Sequence, residues 1–199
     1  KANGSDLRFS SVGGIELEHE ILAWNPAGDS YLRVKIPILT AGDKIFMYWG
    51  NPDANATSDA NATSGNLIGH WTFDEDSGTL AANSGSRGSA HDATLTGGAT
   101  FSTEDKLIGA SALRIPTGSS GAYAQVTSAL GLGSTNAASF TISTWFKKLY
   151  PVGYSRTLSR GSGYHHHLMI SSSGNDVGVY ANSNGNFRNS GEFDMAAAN

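Results

Sequence analysis

The chain has 199 residues, 39% of them hydrophobic and 15% charged, with a formal net charge of −4 and no cysteine. The low charge and the aromatic content exclude a disordered chain, the negative balance argues against a nucleic-acid or anionic-membrane partner, and the lack of cysteine excludes a disulfide scaffold, a thiolate metal site and a cysteine nucleophile. No run of about 18 apolar residues is present to span a membrane, and Lys1-Ala2-Asn3-Gly4-Ser5 has no apolar core of a secretion signal.

The polar bulk of Gly, Ser, Asn and Thr suits short strands joined by many turns. A first module spans residues 1–52. Leu7-Arg8-Phe9 is a short strand and Gly13-Gly14 a turn. From Ile15 to Trp24 the chain alternates, with Glu16, Glu18 and Glu20 on one face and Ile15, Leu17, His19 and Ile21 on the other. Asn25-Pro26-Ala27-Gly28-Asp29 is a dense turn signal. Tyr31 to Leu39 alternates again, with Leu32, Val34, Ile36 and Ile38 inward, and Pro37 marks a strand end or an edge. Lys44 to Trp49 is an aromatic-rich strand closed by Gly50-Asn51-Pro52. These are antiparallel strands at hairpin spacing, and no helix is predicted.

Residues 53–65 hold the one internal repeat. Asp53-Ala54-Asn55-Ala56-Thr57-Ser58 is followed by the identical Asp59-Ala60-Asn61-Ala62-Thr63-Ser64. With no large apolar residue to bury, the repeat reads as a linker. Asn55, Asn61 and Asn3 each head an Asn-x-Ser/Thr sequon, which is either a glycan acceptor or the chance product of an Asn/Thr-rich chain.

The second module, residues 66–199, opens on Leu67 to Asp74. That alternation puts Trp71 and Phe73 on one face as core anchors, and the strand runs into an acidic turn, Asp74-Glu75-Asp76-Ser77-Gly78. His91–Leu95, Ser111–Pro116, Tyr123–Thr127, Arg156–Ser159, His166–Ser172 and Val177–Ala181 are further predicted strands. Phe140–Lys147 has the strongest strand pattern of this half. Many short strands at fairly regular spacing read as a β-sandwich.

Several of these stretches resemble a known family in order. Gly69-His70-Trp71-Thr72-Phe73-Asp74, Asn83-Ser84-Gly85, Ala93 to Gly98, Gly109-Ala110-Ser111-Ala112-Leu113 and Ser139 to Lys147 resemble laminin G-like domains of the concanavalin A-like jelly-roll superfamily. Asn3 to Phe9, Trp24-Asn25-Pro26, Val34 to Pro37 and Ile45 to Pro52 resemble an uncharacterised bacterial β-domain that often precedes such modules in surface proteins. The resemblance implies an all-β, antiparallel jelly-roll β-sandwich, preceded by a smaller partial β-domain. It also implies that both modules are incomplete pieces of a longer protein.

Four constellations bear on chemistry. Glu192-Phe193-Asp194 resembles the start of the Glu-x-Asp-x-Glu motif of family-16-type jelly-roll glycosidases. Retaining hydrolysis needs two carboxyl groups about 5–5.5 Å apart, and Ala196 and Ala197 occupy the positions of the second Glu, so no acid protonates the leaving group. Asp74, Asn83 and Asp92 can converge on calcium, which takes 6–8 oxygen ligands. The alternative is a solvated turn whose carboxylates bond local N–H groups. His165-His166-His167 offers at most two ligands on one strand face and reads as a polar strand edge. Tyr150, Tyr154 and Tyr164 lie in predicted loops, where exposed rings can stack on sugars.

The expected function is a non-catalytic extracellular or cell-surface module that binds carbohydrate or another surface or matrix ligand, with calcium as the possible cofactor. A structural spacer or protein-interaction module is the alternative, and a glycoside hydrolase fragment is a third.

Overall fold

A computed structural model of the chain describes residues 1–64, 67–116, 121–130, 140–147, 156–160, 166–170, 176–181 and 186–192. The protein is all-β with several antiparallel sheets. It divides into two compact units, Lys1–Gly131 and Leu132–Asn199.

Unit 1 begins with β1 (Arg8–Ser11), β2 (Glu16–Leu17), β3 (His19–Ala23), β4 (Tyr31–Val34) and β5 (Ile45–Tyr48). The alternation over Ile15–Trp24 does form strand, but it breaks at Glu18, so that β2 joins β1 while β3 pairs with β4. The sheet order is β2-β1-β5. In β3 and β4 apolar residues alternate with polar ones and one face has a core to enter, whereas β5 pairs with β1 with all four of its residues exposed. Leu7, Phe9 and Leu17 are buried, and Ile21, Trp24, Leu32, Val34 and Ile36 pack on them. Ile38, expected inward, is exposed, since β4 ends at Val34, ahead of Pro37. On the outer face of the β3–β4 pair, Arg33 bonds Glu20 at 3.2 Å and Lys35 bonds Glu18 at 2.6 Å.

The repeat takes two conformations. Its first copy forms neither helix nor strand, and its second forms α1 (Ala60–Ser64), a short helix against β3. Identical hexapeptides in different backbone states show tertiary contacts overriding local propensity.

The later half of unit 1 contains β6 (Leu80–Ala81), a 3-10 turn at Ser89–His91, β7 (Ala93–Thr96), β8 (Thr100–Ser102), β9 (Ala112–Arg114) and β10 (Tyr123–Gln125). The strands form a three-stranded sheet, β10-β7-β6, and a β8-β9 hairpin. Ala81, Ala93, Leu95 and Ala99 are buried at their centre, with Trp71, Phe73, Phe101 and Leu113 packed around them. Trp71 and Phe73 thus pack on this core, partly buried. The predicted opening strand is reduced to one antiparallel bridge, Trp71 to Asn83. Phe73 has φ +58°, a left-handed conformation that turns the chain out of any strand.

Unit 2 contains β11 (Arg156–Arg160), β12 (His166–Ile170), β13 (Asp176–Ala181) and β14 (Asn186–Glu192), paired in sequence order as a meander. Met169 and Ile170 are buried in it. Phe140–Lys147 lies outside every strand, and Phe140, Ile142 and Trp145 are exposed. Apolar alternation makes a strand only where a neighbouring backbone completes the ladder.

Candidate functional site

The acidic turn is held by the Gly109–Ser111 segment. Asp74 Oδ1 accepts hydrogen bonds from the N–H groups of Ala110, at 2.6 Å, and Ser111, at 3.3 Å. Ser111 is almost fully buried, and its Oγ lies 2.5 Å from the Phe73 carbonyl and 2.6 Å from that of Glu75. One hydroxyl proton serves one of these carbonyls at a time. Glu75 Oε1 accepts from Ala82 N–H at 2.7 Å, while Glu75 Oε2 is buried with no hydrogen-bond partner among the described residues. Gly109 has φ +79°, and a Cβ there would collide with the Asp74 carboxylate. Glycine is the residue that meets both conditions.

Asn83 and Asp92 meet at a second place. Asp92 Oδ1 accepts from Asn83 N–H at 2.7 Å. Asn83 Oδ1 accepts from His70 N–H at 2.8 Å and Gly85 N–H at 2.9 Å, and its Nδ2 donates to Gly88 O at 3.0 Å. Asp74 is joined to the 109–111 segment instead. Among the described residues no group of three or more His, Cys, Asp or Glu side chains is arranged to hold a metal ion.

Ser84 Oγ lies 2.9 Å from His70 Nδ1, a nucleophile–base distance that the sequence pattern does not single out. The surrounding N–H groups are engaged. Ser84 N–H donates to His70 O, Gly85 N–H to Asn83 Oδ1, Ser86 N–H to Leu67 O and Arg87 N–H to Ile68 O. No N–H in this run is left to stabilise an oxyanion, so the pair serves to join the two chain segments.

A third place presents aromatic surface. β5 is an edge strand of its sheet, and Phe46 is 45%, Tyr48 54% and the following Trp49 70% exposed. Cross-strand partners share a sheet face, and the register pairs Ser10 with Phe46, Arg8 with Tyr48 and Ser10 with Glu16. One face therefore carries two aromatic rings beside Arg8, Ser10 and Glu16. Arg8 Nε is 3.5 Å from Glu16 Oε1, and Ser10 Oγ is 3.5 Å from the Tyr48 hydroxyl. The aromatic content of Lys44–Trp49 is the sequence signal for this face. Only the register shows which rings share it with polar groups.

Tyr150, Tyr154, Tyr164 and His165 lie outside the described residues, as do Phe193 and Asp194 of the Glu-Phe-Asp run. His166 and His167 are on β12, and Glu192 ends β14.

A family model for a domain of unknown function (DUF2341) matches residues 3–86. No curated protein and no solved structure matches the chain.

Proposed function

We propose that the chain is a non-catalytic pair of β-modules from an extracellular or cell-surface protein. In this reading the second module is built on the laminin G-like jelly-roll plan, and the pair binds carbohydrate. The observation that carries the reading is the β5 face, where Phe46 and Tyr48 stand exposed beside Arg8, Ser10 and Glu16. Exposed rings next to fixed hydrogen-bonding groups suit a pyranose ring, whose apolar face stacks while its hydroxyl groups pair at the edge. Asp74 and Asp92 each hold backbone N–H groups, which is in keeping with the non-catalytic reading.

The test is binding to a glycan array and to soluble polysaccharides, with and without calcium. Tyr48→Ala should weaken a detected glycan by about tenfold, the order expected for one lost ring contact. No binding to any glycan under either condition would leave the spacer or protein-interaction reading, which the open edge of β5 favours. Hydrolysis of a β-glucan would overturn the non-enzyme reading.

A further inference from the structure

β5 lies at the edge of the β2-β1-β5 sheet, and each residue from Ile45 to Trp49 is at least 41% exposed. Sheet edges are ordinarily blunted by shortness, a charge, a proline or a bulge. β2, at the other edge of this sheet, has two residues. β4 carries Arg33 and is followed by Lys35 and Pro37. β5 has none of these devices. Ile45 to Trp49 include no charge and no proline, and the pairing with β1 runs unshifted from Arg8–Tyr48 to Ser11–Ile45.

The hydrogen bonds around β1 fix which backbone groups of β5 face outward. Ser11 N–H donates to Ile15 O, on the β2 side. Successive residues of a strand turn their N–H and C=O groups to opposite edges, so Phe9 also faces β2 while Arg8 and Ser10 face β5. Their partners Tyr48 and Phe46 face back toward β1, and Gly50 N–H, next in that alternation, donates to Asp6 Oδ2 at 2.7 Å on the same side. Ile45, Met47 and Trp49 therefore turn their backbone groups away from the sheet. Met47 is the cross-strand partner of Phe9, so the side chains of these three extend the apolar face that holds the first core, beyond the part that the core covers.

We infer that β5 pairs antiparallel with β5 of a second copy of this chain, across a two-fold axis at Met47. An antiparallel pair of identical strands is its own complement, as a two-fold interface requires. One register brings all three outward residues together. It sets Met47 opposite Met47 of the second copy and Ile45 opposite Trp49, each pair exchanging both N–H···O bonds. The same register sets Phe46 opposite Tyr48, an aromatic pair, and Lys44 opposite Gly50, so no like charges meet. With areas of about 150–250 Å² per large side chain, the exposures of Ile45 to Trp49 leave roughly 500 Å² on each copy, which suits a weak, concentration-dependent dimer rather than an obligate one. The joined sheet ends on the two-residue β2 at both sides, so the assembly closes at the dimer. Pairing is edge to edge, and the Phe46–Tyr48 face stays at the surface beside that of the second copy.

The test is sedimentation velocity of the full chain from about 1 to 500 µM, the range of a weak interface. The parent should pass from monomer to dimer as concentration rises. Met47→Lys sets two ammonium groups face to face at the axis and should raise the dissociation constant at least about tenfold. Met47 is half exposed, so the lysine of this variant reaches solvent in the monomer. The chain has no cysteine of its own, so Met47→Cys reads the register. Cα atoms about 5.5 Å apart across the axis are within disulfide range, and oxidation should link two copies. Phe46→Cys is the control, because its Cα atoms are diagonal neighbours about 7–8 Å apart in this register and should link at least about tenfold more slowly. Should Met47→Lys lose the fold by circular dichroism, the two cysteine variants decide. The inference is overturned by a parent that stays monomeric throughout, by assembly that grows beyond the dimer, by a folded Met47→Lys that dimerises as the parent does, or by Phe46→Cys linking as fast as Met47→Cys.

Discussion

Asn83 uses its whole side chain on backbone groups. The amide accepts from His70 and Gly85 and donates to Gly88, and the residue is 7% exposed. Three contacts to main chain fix the crossing of Leu67–Trp71 over Asn83–Arg87, where Gly85 approaches Ile68 and Gly69 so closely that a Cβ would fall 2.7 Å from the Ile68 carbonyl. Asn83→Ala removes the partner of two N–H groups and one carbonyl and should destabilise unit 1 by about 2–4 kcal/mol. Asn83→Asp keeps the acceptor, loses the Gly88 contact and sets a second carboxylate near Asp92, so it should fall between Ala and the parent. Urea denaturation orders the three, and an alanine variant as stable as the parent would refute this role for Asn83. Sequence alone identifies Asn83 and Asp92 as oxygen donors within reach of each other. It does not show what they face, because backbone N–H groups and a cation attract the same oxygens.

At the scale of elements, the packing of β3 on β1 buries a histidine. His19 is 2% exposed, and its ring meets Phe9 edge-on with centroids 5.1 Å apart at an interplanar angle of 60°. Burial, and secondarily the Arg8 charge, lowers the His19 pKa below the usual histidine value, with Glu16 opposing weakly. The neutral ring is the folded form. The unfolded chain binds the proton first, so this contribution to stability is complete above about pH 6.5 and declines as pH falls from there toward the folded-state pKa. Stability should therefore fall as the pH is lowered through about 6.5, and His19→Phe should flatten that slope. An unchanged slope in His19→Phe would assign the dependence to other groups. β3 and β4 are legible in the sequence because alternating apolar residues enter one core there, and β5 because of its apolar run, although its four residues are exposed. The same signal misleads over Leu67–Asp74, where the left-handed Phe73 ends the extended run, and over Phe140–Lys147, which lies outside every strand. β14 shows the converse. Asn186–Glu192 has little apolar pattern, and its pairing with β13 is what makes it a strand. α1 is not legible in the repeat at all, because two identical hexapeptides carry identical local preferences and the docking against β3 distinguishes them.

At the scale of the whole chain, the family match and the packing mark different boundaries. The match ends at residue 86, but the elements it contains close their bonds beyond it. β6 pairs with β7, Asn83 N–H reaches Asp92, and the Trp71 indole N–H donates to His91 O at 3.0 Å. Ala81, at the centre of the second core, is buried against Ala93, Leu95 and Ala99. Residues 67–86 therefore depend on the 3-10 turn and β7 for their bonds and their core, whereas the first core is supplied by residues 7–36. A chain ending at Ser86 should keep slow amide exchange in β1, β3 and β4 while residues 67–86 exchange like an unfolded segment. A chain ending at Gly131 should protect both regions, because it restores β7, the 3-10 turn and β10. Hydrogen exchange read by mass spectrometry separates the two outcomes peptide by peptide. Protection of residues 67–86 in the shorter chain would mean that the matched stretch folds without β7, and the bonds to His91 and Asp92 would then be additions to a core already formed. Loss of protection from β1 to β4 as well would mean that the two cores of unit 1 form together.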